Sequence, residues 1–155
     1  MQKIKILLTL GMFFLLIKPK LLAQNTFPNL TNCNTINSSK YKKKDDRVFK
    51  LLIISGAGCG YCDITLESIY KNKLSNKINV VVVEFGNEEY INKIHGKYFE
   101  EFKFINGSKC KIKGIDDDFF PLLYLYKNEK LVWKRKGWYK SNIKKIEKAI
   151  NNGHK

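Results

Sequence analysis

Apolar positions from residue 48 onward alternate between two spacings, one typical of buried strands and one typical of helices. Residues 48–54 and 79–85 are short, almost continuous apolar runs, which favour central strands covered on both faces. Between these runs, from Cys62 to about Leu74, four side chains recur at helical spacing: Leu66, Ile69, Tyr70 and Leu74. Strand, helix and strand in this order predict a right-handed crossover and a parallel strand pair.

The last third of the chain predicts a hairpin followed by a closing helix. Two β-prone runs, residues 122–126 and 131–134, are joined by a short polar turn, which is typical of an antiparallel hairpin. Gly137 then interrupts the pattern, and a final helix is expected from about Ser141, a residue suited to capping. The apolar positions of this helix are Ile143, Ile146 and Ile150.

The sequence pattern does not determine the structure of residues 87–118. Residues 88–95 fit a short helix, and the aromatic stretch from Tyr98 to Phe104 is compatible with either a helix or an irregular strand.

The N-terminus has the three parts of a secretory signal peptide, which we assign to residues 1–23. Basic Lys3 and Lys5 precede an apolar run over residues 6–17, and small Ala23 predicts the cleavage point. An uncleaved anchor is the alternative, but the run is shorter than the roughly 20 residues that span a bilayer. The polar residues 24–47 predict a flexible lead-in, and residues 48–152 are the size of a single domain.

The formal net charge of +15 at pH 7 raises the question of a nucleic-acid or membrane partner. The positive charge is almost all lysine, with Arg47 and Arg135 the only arginines, and no nucleic-acid-binding motif accompanies it. We therefore interpret the charge as a solvated basic surface, and we expect neither nucleic-acid binding nor stable membrane insertion.

The tetrapeptide Cys59-Gly60-Tyr61-Cys62 lies between the first predicted strand and the first predicted helix. A cysteine at a helix start meets unpaired N–H groups and the positive end of the helix dipole, which stabilise a nucleophilic thiolate. A second cysteine one turn later can resolve the mixed disulfide that the first one forms. The pattern predicts a redox-active pair.

Plainer interpretations of the four cysteines remain open. Cys59 and Cys62 could form a structural disulfide or half of a zinc site, but zinc needs two further ligands, and Cys33 and Cys110 are not closely spaced. We expect no metal and no cofactor. Cys33 and Cys110 are interpreted as a second, structural disulfide, with a redox relay to the active pair as the alternative. His95 and His154 are taken as surface histidines.

From residue 48 to about residue 150, the chain resembles the thioredoxin family. The matching features are the strand–CxxC–helix unit, the parallel strand through Val83, Pro121 at the start of the hairpin, and the closing helix after Gly137. The resemblance implies an α/β fold with a central mixed β-sheet flanked by helices. It also implies a cis peptide bond before Pro121, substrate pairing with the backbone of Phe120, and an insertion over residues 88–118 before the cis-proline.

The chain departs from the family at several positions. Gly58 replaces a common tryptophan, and Ile53 stands where many thioredoxins have a buried carboxylate, so Glu84 on the neighbouring strand becomes the candidate proton acceptor. The pair Gly60-Tyr61 matches bacterial periplasmic disulfide isomerases. Those isomerases usually carry a dimerisation domain and a threonine where this chain has Phe120. The dipeptide therefore favours an extracytoplasmic exchanger without distinguishing reductase, isomerase or oxidase.

Two hypotheses for the function follow. The first is an extracytoplasmic thiol-disulfide oxidoreductase, a reductase or isomerase of protein disulfides, in which Cys59 attacks and Cys62 resolves. Its partners would be protein thiols or disulfides and a redox protein, with a membrane electron donor as one candidate. The second is a non-catalytic thioredoxin-like binding module with a structural CxxC disulfide.

Overall fold

The computed structural model of the protein describes residues 25–43, 46–110, 112 and 119–153. The predicted signal peptide lies outside these residues, and so does the chain over 113–118 just before the predicted cis-proline. Within the described ranges, none of the helices has the length and apolar character needed to cross a bilayer.

The described part of the chain forms a five-stranded sheet and three α-helices. The strands are β1 (Phe49–Gly56), β2 (Asn79–Phe85), β3 (Lys103–Asn106), β4 (Leu122–Lys127) and β5 (Lys130–Lys136). The helices are α1 (Gly60–Lys71), α2 (Glu88–His95) and α3 (Asn142–Asn152).

The sheet is mixed, with the strand order β3-β2-β1-β4-β5. β1 and β2 are parallel, as the strand–helix–strand pattern predicts, and β3 adds a further parallel strand beside β2. β4 runs antiparallel to β1 and forms the predicted hairpin with β5. The hairpin turn places Asn128 and Glu129 at φ values of 45° and 65°, the left-handed pair that a two-residue turn requires.

All three helices pack on one face of the sheet. Alternate residues of the central strands, including Leu51, Ile53 and Val82, point into a core that also contains Leu66 of α1 and Ile146 of α3. Each of these side chains is fully buried. The alternate side chains of the strands and the helically spaced apolar side chains of α1 and α3 therefore pack together in one continuous apolar layer.

The opposite face of the sheet is covered by the segment that the sequence favours as a flexible lead-in. Phe27, Leu30 and Cys33 pack against a second buried cluster that includes Leu52 and Ile54. Because the described helices all lie on the other face, these strand residues depend on the lead-in to exclude water. Residues 25–43 thus act as part of the folded domain.

Asn37 fixes the lead-in to the aromatic stretch that follows α2. Its side chain is 1% exposed, and its Nδ2 donates to the carbonyl oxygens of Phe99 and Phe102 at 2.7 Å. Its Oδ1 accepts the N–H of Phe104 at 2.9 Å. One side chain thereby satisfies three buried backbone groups, each of which is costly to leave unpaired. Thr35 adds an antiparallel bridge to Ile105 on the edge strand.

The stretch after β2, whose structure the sequence leaves open, forms α2, a short 3-10 turn and β3. Asn87 caps α2, since its Oδ1 accepts the Glu89 N–H at 2.8 Å. The 3-10 turn covers Gly96–Tyr98, and β3 then extends the parallel part of the sheet. The predicted insertion before the cis-proline is thus a helix and an edge strand in its described part.

The cap of the closing helix differs from the prediction. Ser141 precedes α3, but its backbone is already in the right-handed helical region, at φ −74° and ψ −9°, and its side chain makes no capping bond. A capping side chain normally requires extended backbone angles at that residue. Instead, Asn142 is buried, and its Nδ2 donates to the carbonyl oxygen of Gly137 at 3.3 Å.

Candidate active site

Cys59 and Cys62 lie where the loop after β1 enters α1. Cys59 is the N-cap residue of α1 and has extended backbone angles of φ −82° and ψ 102°. Its Sγ accepts the backbone N–H of Cys62 at 3.3 Å. The two residues form a disulfide, with Cα atoms 5.2 Å apart. A sulfur at this position receives a helix N–H and the positive end of the helix dipole, both of which favour the thiolate.

The two cysteines differ in their access to solvent. Cys59 is half-buried, whereas Cys62 is fully buried. Gly60 is exposed between them, and the ring of Tyr61 is 66% exposed. The first sulfur can be reached by a partner protein, and the second can be reached from Cys59 but is shielded from solvent.

Gly58, where the thioredoxin family often has tryptophan, has a positive φ of 83°. A Cβ added at this position would meet nothing within 4 Å, so space does not exclude a side chain. The backbone angle does, because L residues rarely adopt it without strain. Gly58 therefore allows the tight turn that places Cys59 at the start of α1.

The ring of Phe120 lies against the end of β1. It stacks on Phe85 with ring centroids 5.7 Å apart, and a Cβ added to Gly56 would come within 2.8 Å of it. The Phe120–Pro121 peptide bond is cis, in agreement with the resemblance. Since Leu122 pairs with Ile54, Pro121 stands at the same end of the sheet as the loop that carries Cys59.

Glu84 occupies the end of β2, in register with Ser55 of β1. Its side chain is 0% exposed, and neither carboxylate oxygen has a well-formed hydrogen bond within the described structure. Burial raises the pKa of this carboxyl to about 7, the negative charge of Asp63 adds to the rise, and the Ser55 hydroxyl opposes it. Glu84 can therefore exchange a proton near neutral pH, as a candidate proton acceptor must.

The interpretation of His95 as a surface histidine is wrong. His95 ends α2 and is 1% exposed, with its ring stacked on Phe104 at 5.8 Å. Its Nε2 lies 3.8 Å from Glu84 Oε1 and 3.6 Å from Asp63 Oδ1. Burial lowers the pKa of this imidazole, although Asp63 opposes the change. The sequence holds a signal for this position, because His95 stands four residues after buried Ile91 on the same helix face.

Asp63 is the other residue that sequence reasoning missed. It follows Cys62 directly in the first turn of α1, and its side chain is 48% exposed. His95 thus lies between the buried Glu84 and the half-exposed Asp63. Within the described residues, no group of three histidine, cysteine or acidic side chains is arranged to hold a metal ion.

The second disulfide joins Cys33 of the lead-in to Cys110, with Cα atoms 5.1 Å apart. Gly107, three residues before Cys110, packs so closely on the Phe85 ring that an added Cβ would lie 2.8 Å from it. The disulfide therefore anchors a segment that supports the ring on which Phe120 stacks.

Comparison with solved structures shows a thioredoxin-like fold, which confirms the predicted fold class. A secreted disulfide oxidoreductase of Mycobacterium tuberculosis has a TM-score of 0.56 at 12% identity, over 84% of this chain and 96% of that one. The thioredoxin domain of a Bacteroides vulgatus thiol-disulfide oxidoreductase has a TM-score of 0.55 at 19% identity, over 82% and 92%.

A third similar structure is a putative thiol:disulfide interchange protein DsbE of Chlorobium tepidum. It has a TM-score of 0.53 at 17% identity, over 67% of this chain and 78% of that one. No protein-family model matches the chain, and no curated protein matches its sequence. These structural similarities therefore establish a thioredoxin-like fold. In this fold, the Cys59–Cys62 disulfide lies at the start of α1.

Substitution of Glu84 by glutamine is expected to stabilise the oxidised protein at alkaline pH and to leave it unchanged near pH 4. With a native pKa of about 7, Glu84 holds its proton more tightly in the folded chain than in the unfolded one, where the pKa is near 4.5. The stability that this proton supplies is present below pH 4.5 and is lost as the pH rises to 7. The difference between the two pKa values corresponds to about 3 kcal/mol in the free energy of unfolding at pH 8, and this is the gain expected for Glu84→Gln.

Urea unfolding of both proteins at pH 4 and pH 8, with the disulfides intact, measures this difference. Glu100→Gln, which removes an exposed carboxylate, serves as the control. An equal free energy of unfolding for Glu84→Gln and the parent at pH 8 would contradict the burial effect.

Proposed function

We propose that the protein is an extracytoplasmic thiol-disulfide oxidoreductase that acts on protein disulfides through Cys59 and Cys62. The position of Cys59 carries the proposal: it is half-buried, it caps α1, and its Sγ accepts the Cys62 N–H. A disulfide that only staples the chain gains nothing from this position, whereas a nucleophilic thiolate needs it.

In the reducing direction, the Cys59 thiolate attacks a disulfide sulfur of the partner. A mixed disulfide forms, and the other partner sulfur leaves as a thiolate. Cys62 then loses its proton and attacks Cys59 Sγ, which forms the Cys59–Cys62 disulfide and expels the second partner thiolate. Two electrons pass from the dithiol to the partner, and the reverse sequence inserts a disulfide.

Glu84 is the proposed acceptor of the Cys62 proton. Cys62 is fully buried and needs a local base, and Ile53 leaves the usual strand position without one. Glu84 is a buried carboxyl at the same end of the sheet, and its pKa of about 7 suits proton exchange at neutral pH.

The substrate is proposed to be an extended polypeptide that pairs with the backbone of Phe120 beside Pro121. Two exposed rings offer apolar contact area for such a substrate: Phe119, which precedes Phe120 in the sequence, and Tyr61, which lies between the two cysteines. A separate redox protein, with a membrane electron donor as the candidate, would return the pair to its working state.

Export is proposed from two features. Residues 1–23 have the pattern of a signal peptide, with cleavage near Ala23. The second disulfide, Cys33–Cys110, is of a kind that persists in oxidising compartments such as the periplasm or the cell exterior.

The test is the reduction potential of the Cys59–Cys62 pair in the mature protein, measured in graded thiol buffers with thiol trapping and mass spectrometry of the two cysteine pairs. A reductase is expected near about −270 mV, and an isomerase or oxidase at about −120 to −180 mV. Cys33–Cys110 is the internal reference and is expected to resist reduction.

The alternative, a binding module with a structural CxxC disulfide, predicts a different result. In that case Cys59–Cys62 stays oxidised below about −300 mV, together with Cys33–Cys110. Such a potential would overturn the oxidoreductase proposal.

A further inference from the structure

Three neighbouring titratable side chains, two of them buried and one half-exposed, lie between the end of β2 and solvent. Glu84 is fully buried at the end of β2, His95 is 1% exposed at the end of α2, and Asp63 is half-exposed on α1. One imidazole nitrogen, Nε2, faces both carboxylates, at 3.8 Å from Glu84 and 3.6 Å from Asp63. Burying two ionisable side chains next to each other is costly, and a purely structural role does not explain that cost.

We propose that His95 passes the proton released by Cys62 from Glu84 to Asp63, and so to solvent. This inference rests on the proposed exchange reaction and adds His95 and Asp63 as residues that support its resolving step. Glu84 has no direct contact with water, so each turnover requires a route by which it loses its proton.

The geometry provides that route. A cavity of about 330 Å³ is lined by Asp63, His95 and Tyr98, among others, and is roomy enough for water. Asp63 is exposed at this cavity, whereas Glu84 does not line it. His95 is the side chain that contacts both the buried carboxylate and the cavity.

The other charged groups around His95 are occupied with one another. Glu67 on α1 binds Lys97 Nζ at 2.7 Å and the Tyr98 hydroxyl at 2.6 Å. These bonds, chiefly the one from Lys97, hold the pKa of Glu67 at about 2, so it stays charged and takes up no proton at neutral pH. The other titratable and polar groups beside Glu84, His95 and Asp63 are Ser55 of β1, Glu67 of α1, and Lys97 and Tyr98 after α2.

The proton balance is complete within these groups. The Cys62 thiol gives its proton to the Glu84 carboxylate, and the Cys62 sulfur attacks Cys59 Sγ. The neutral imidazole takes the proton from Glu84 at Nε2 and gives the same proton to Asp63 after a small movement of the ring. Asp63 releases it to water, and no electrons are transferred in the relay.

The resolving step can be isolated with a chromogenic aryl disulfide, 5,5′-dithiobis(2-nitrobenzoate). In protein with only the Cys59–Cys62 pair reduced, verified by thiol counting, a substoichiometric dose labels Cys59 and releases one thionitrobenzoate. Attack by Cys62 then releases the second. Stopped-flow absorbance records the second release at pH 6 to 9.

His95→Gln is expected to slow the second release by about 100-fold at pH 7, the lower end of what a positioned proton-transfer group contributes. The difference in this rate between His95→Gln and the parent should narrow toward pH 9, where hydroxide takes the thiol proton directly. Asp63→Asn should slow the same phase, and the matched change Glu67→Gln, one turn further along α1, should not.

A merely structural role for His95 is tested by rescue. His95→Ala leaves space beside the cavity, and added imidazole is expected to restore the second release without changing the first. The circular dichroism of His95→Gln checks its fold. A parent-like second release in a folded His95→Gln, or a slowed release that neither pH nor imidazole restores, overturns the relay. A parent protein that never gives the second release overturns the exchange reaction itself.

Discussion

Replacement of Cys59 by serine is expected to abolish disulfide exchange. The reaction needs a sulfur nucleophile at the start of α1, and a serine hydroxyl does not attack disulfides at neutral pH. The rate of reduction of a fluorescent oxidised-glutathione or insulin substrate should fall by at least about 100-fold, to the uncatalysed background. Glu100→Gln, which removes an exposed carboxylate and leaves both disulfides intact, is the control and should keep exchange activity.

Replacement of Cys62 by serine should give the complementary result. Cys59 can still attack, but nothing resolves the mixed disulfide, so partner proteins remain covalently attached to Cys59. Non-reducing electrophoresis would show these adducts, and they should disappear in the Cys59→Ser/Cys62→Ser protein. Full exchange activity in Cys59→Ser would refute the proposed function.

Much of the fold follows from local pattern. The apolar runs that became β1 and β2 are buried over most of their length, and such runs have few alternatives to a central parallel pair. The hairpin is equally local, because its turn joins adjacent strands and positive-φ positions mark it. The position of Cys59 at the helix start follows from these elements, and only its identity as a cysteine reveals the chemistry.

The packing of the lead-in on the sheet could not be predicted from local pattern in the same way. Its polar, asparagine-rich composition is typical of a disordered segment, yet it covers one face of the sheet through Phe27, Leu30 and Cys33. Its order comes from distant partners: Asn37 bonds to backbone groups more than 60 residues away. Composition reports local tendencies and carries no information on such contacts.

The candidate site shows the same limit. Glu84 could be proposed from its strand position, but its proximity to His95 depends on how α2 returns to the sheet. His95 and Asp63 are far apart in sequence and meet only because α1 and α2 lie on the same face. A pair that tertiary packing creates cannot be recognised from spacing alone.

The second large effect is expected on stability, through Cys33 and Cys110. Their disulfide closes a loop with a sequence separation of 77, and the chain-entropy relation assigns such a loop about 4.5 kcal/mol. Cys33→Ala/Cys110→Ala should lower the free energy of unfolding by about this amount in urea titrations. The disulfide also ties the lead-in to the far side of the sheet, so hydrogen exchange over residues 25–43 should quicken most.

Cys59→Ala/Cys62→Ala is the matched comparison, because it removes a disulfide with a sequence separation of only 3. The same relation gives that short loop about 1.6 kcal/mol, so the two double variants should differ by about 3 kcal/mol. Equal losses in the two proteins would contradict the loop argument. A large loss of stability in Cys33→Ala/Cys110→Ala alone, together with faster hydrogen exchange over residues 25–43, would show that the Cys33–Cys110 disulfide keeps the lead-in on the sheet. The Cys59–Cys62 disulfide could then open and close at little cost in stability.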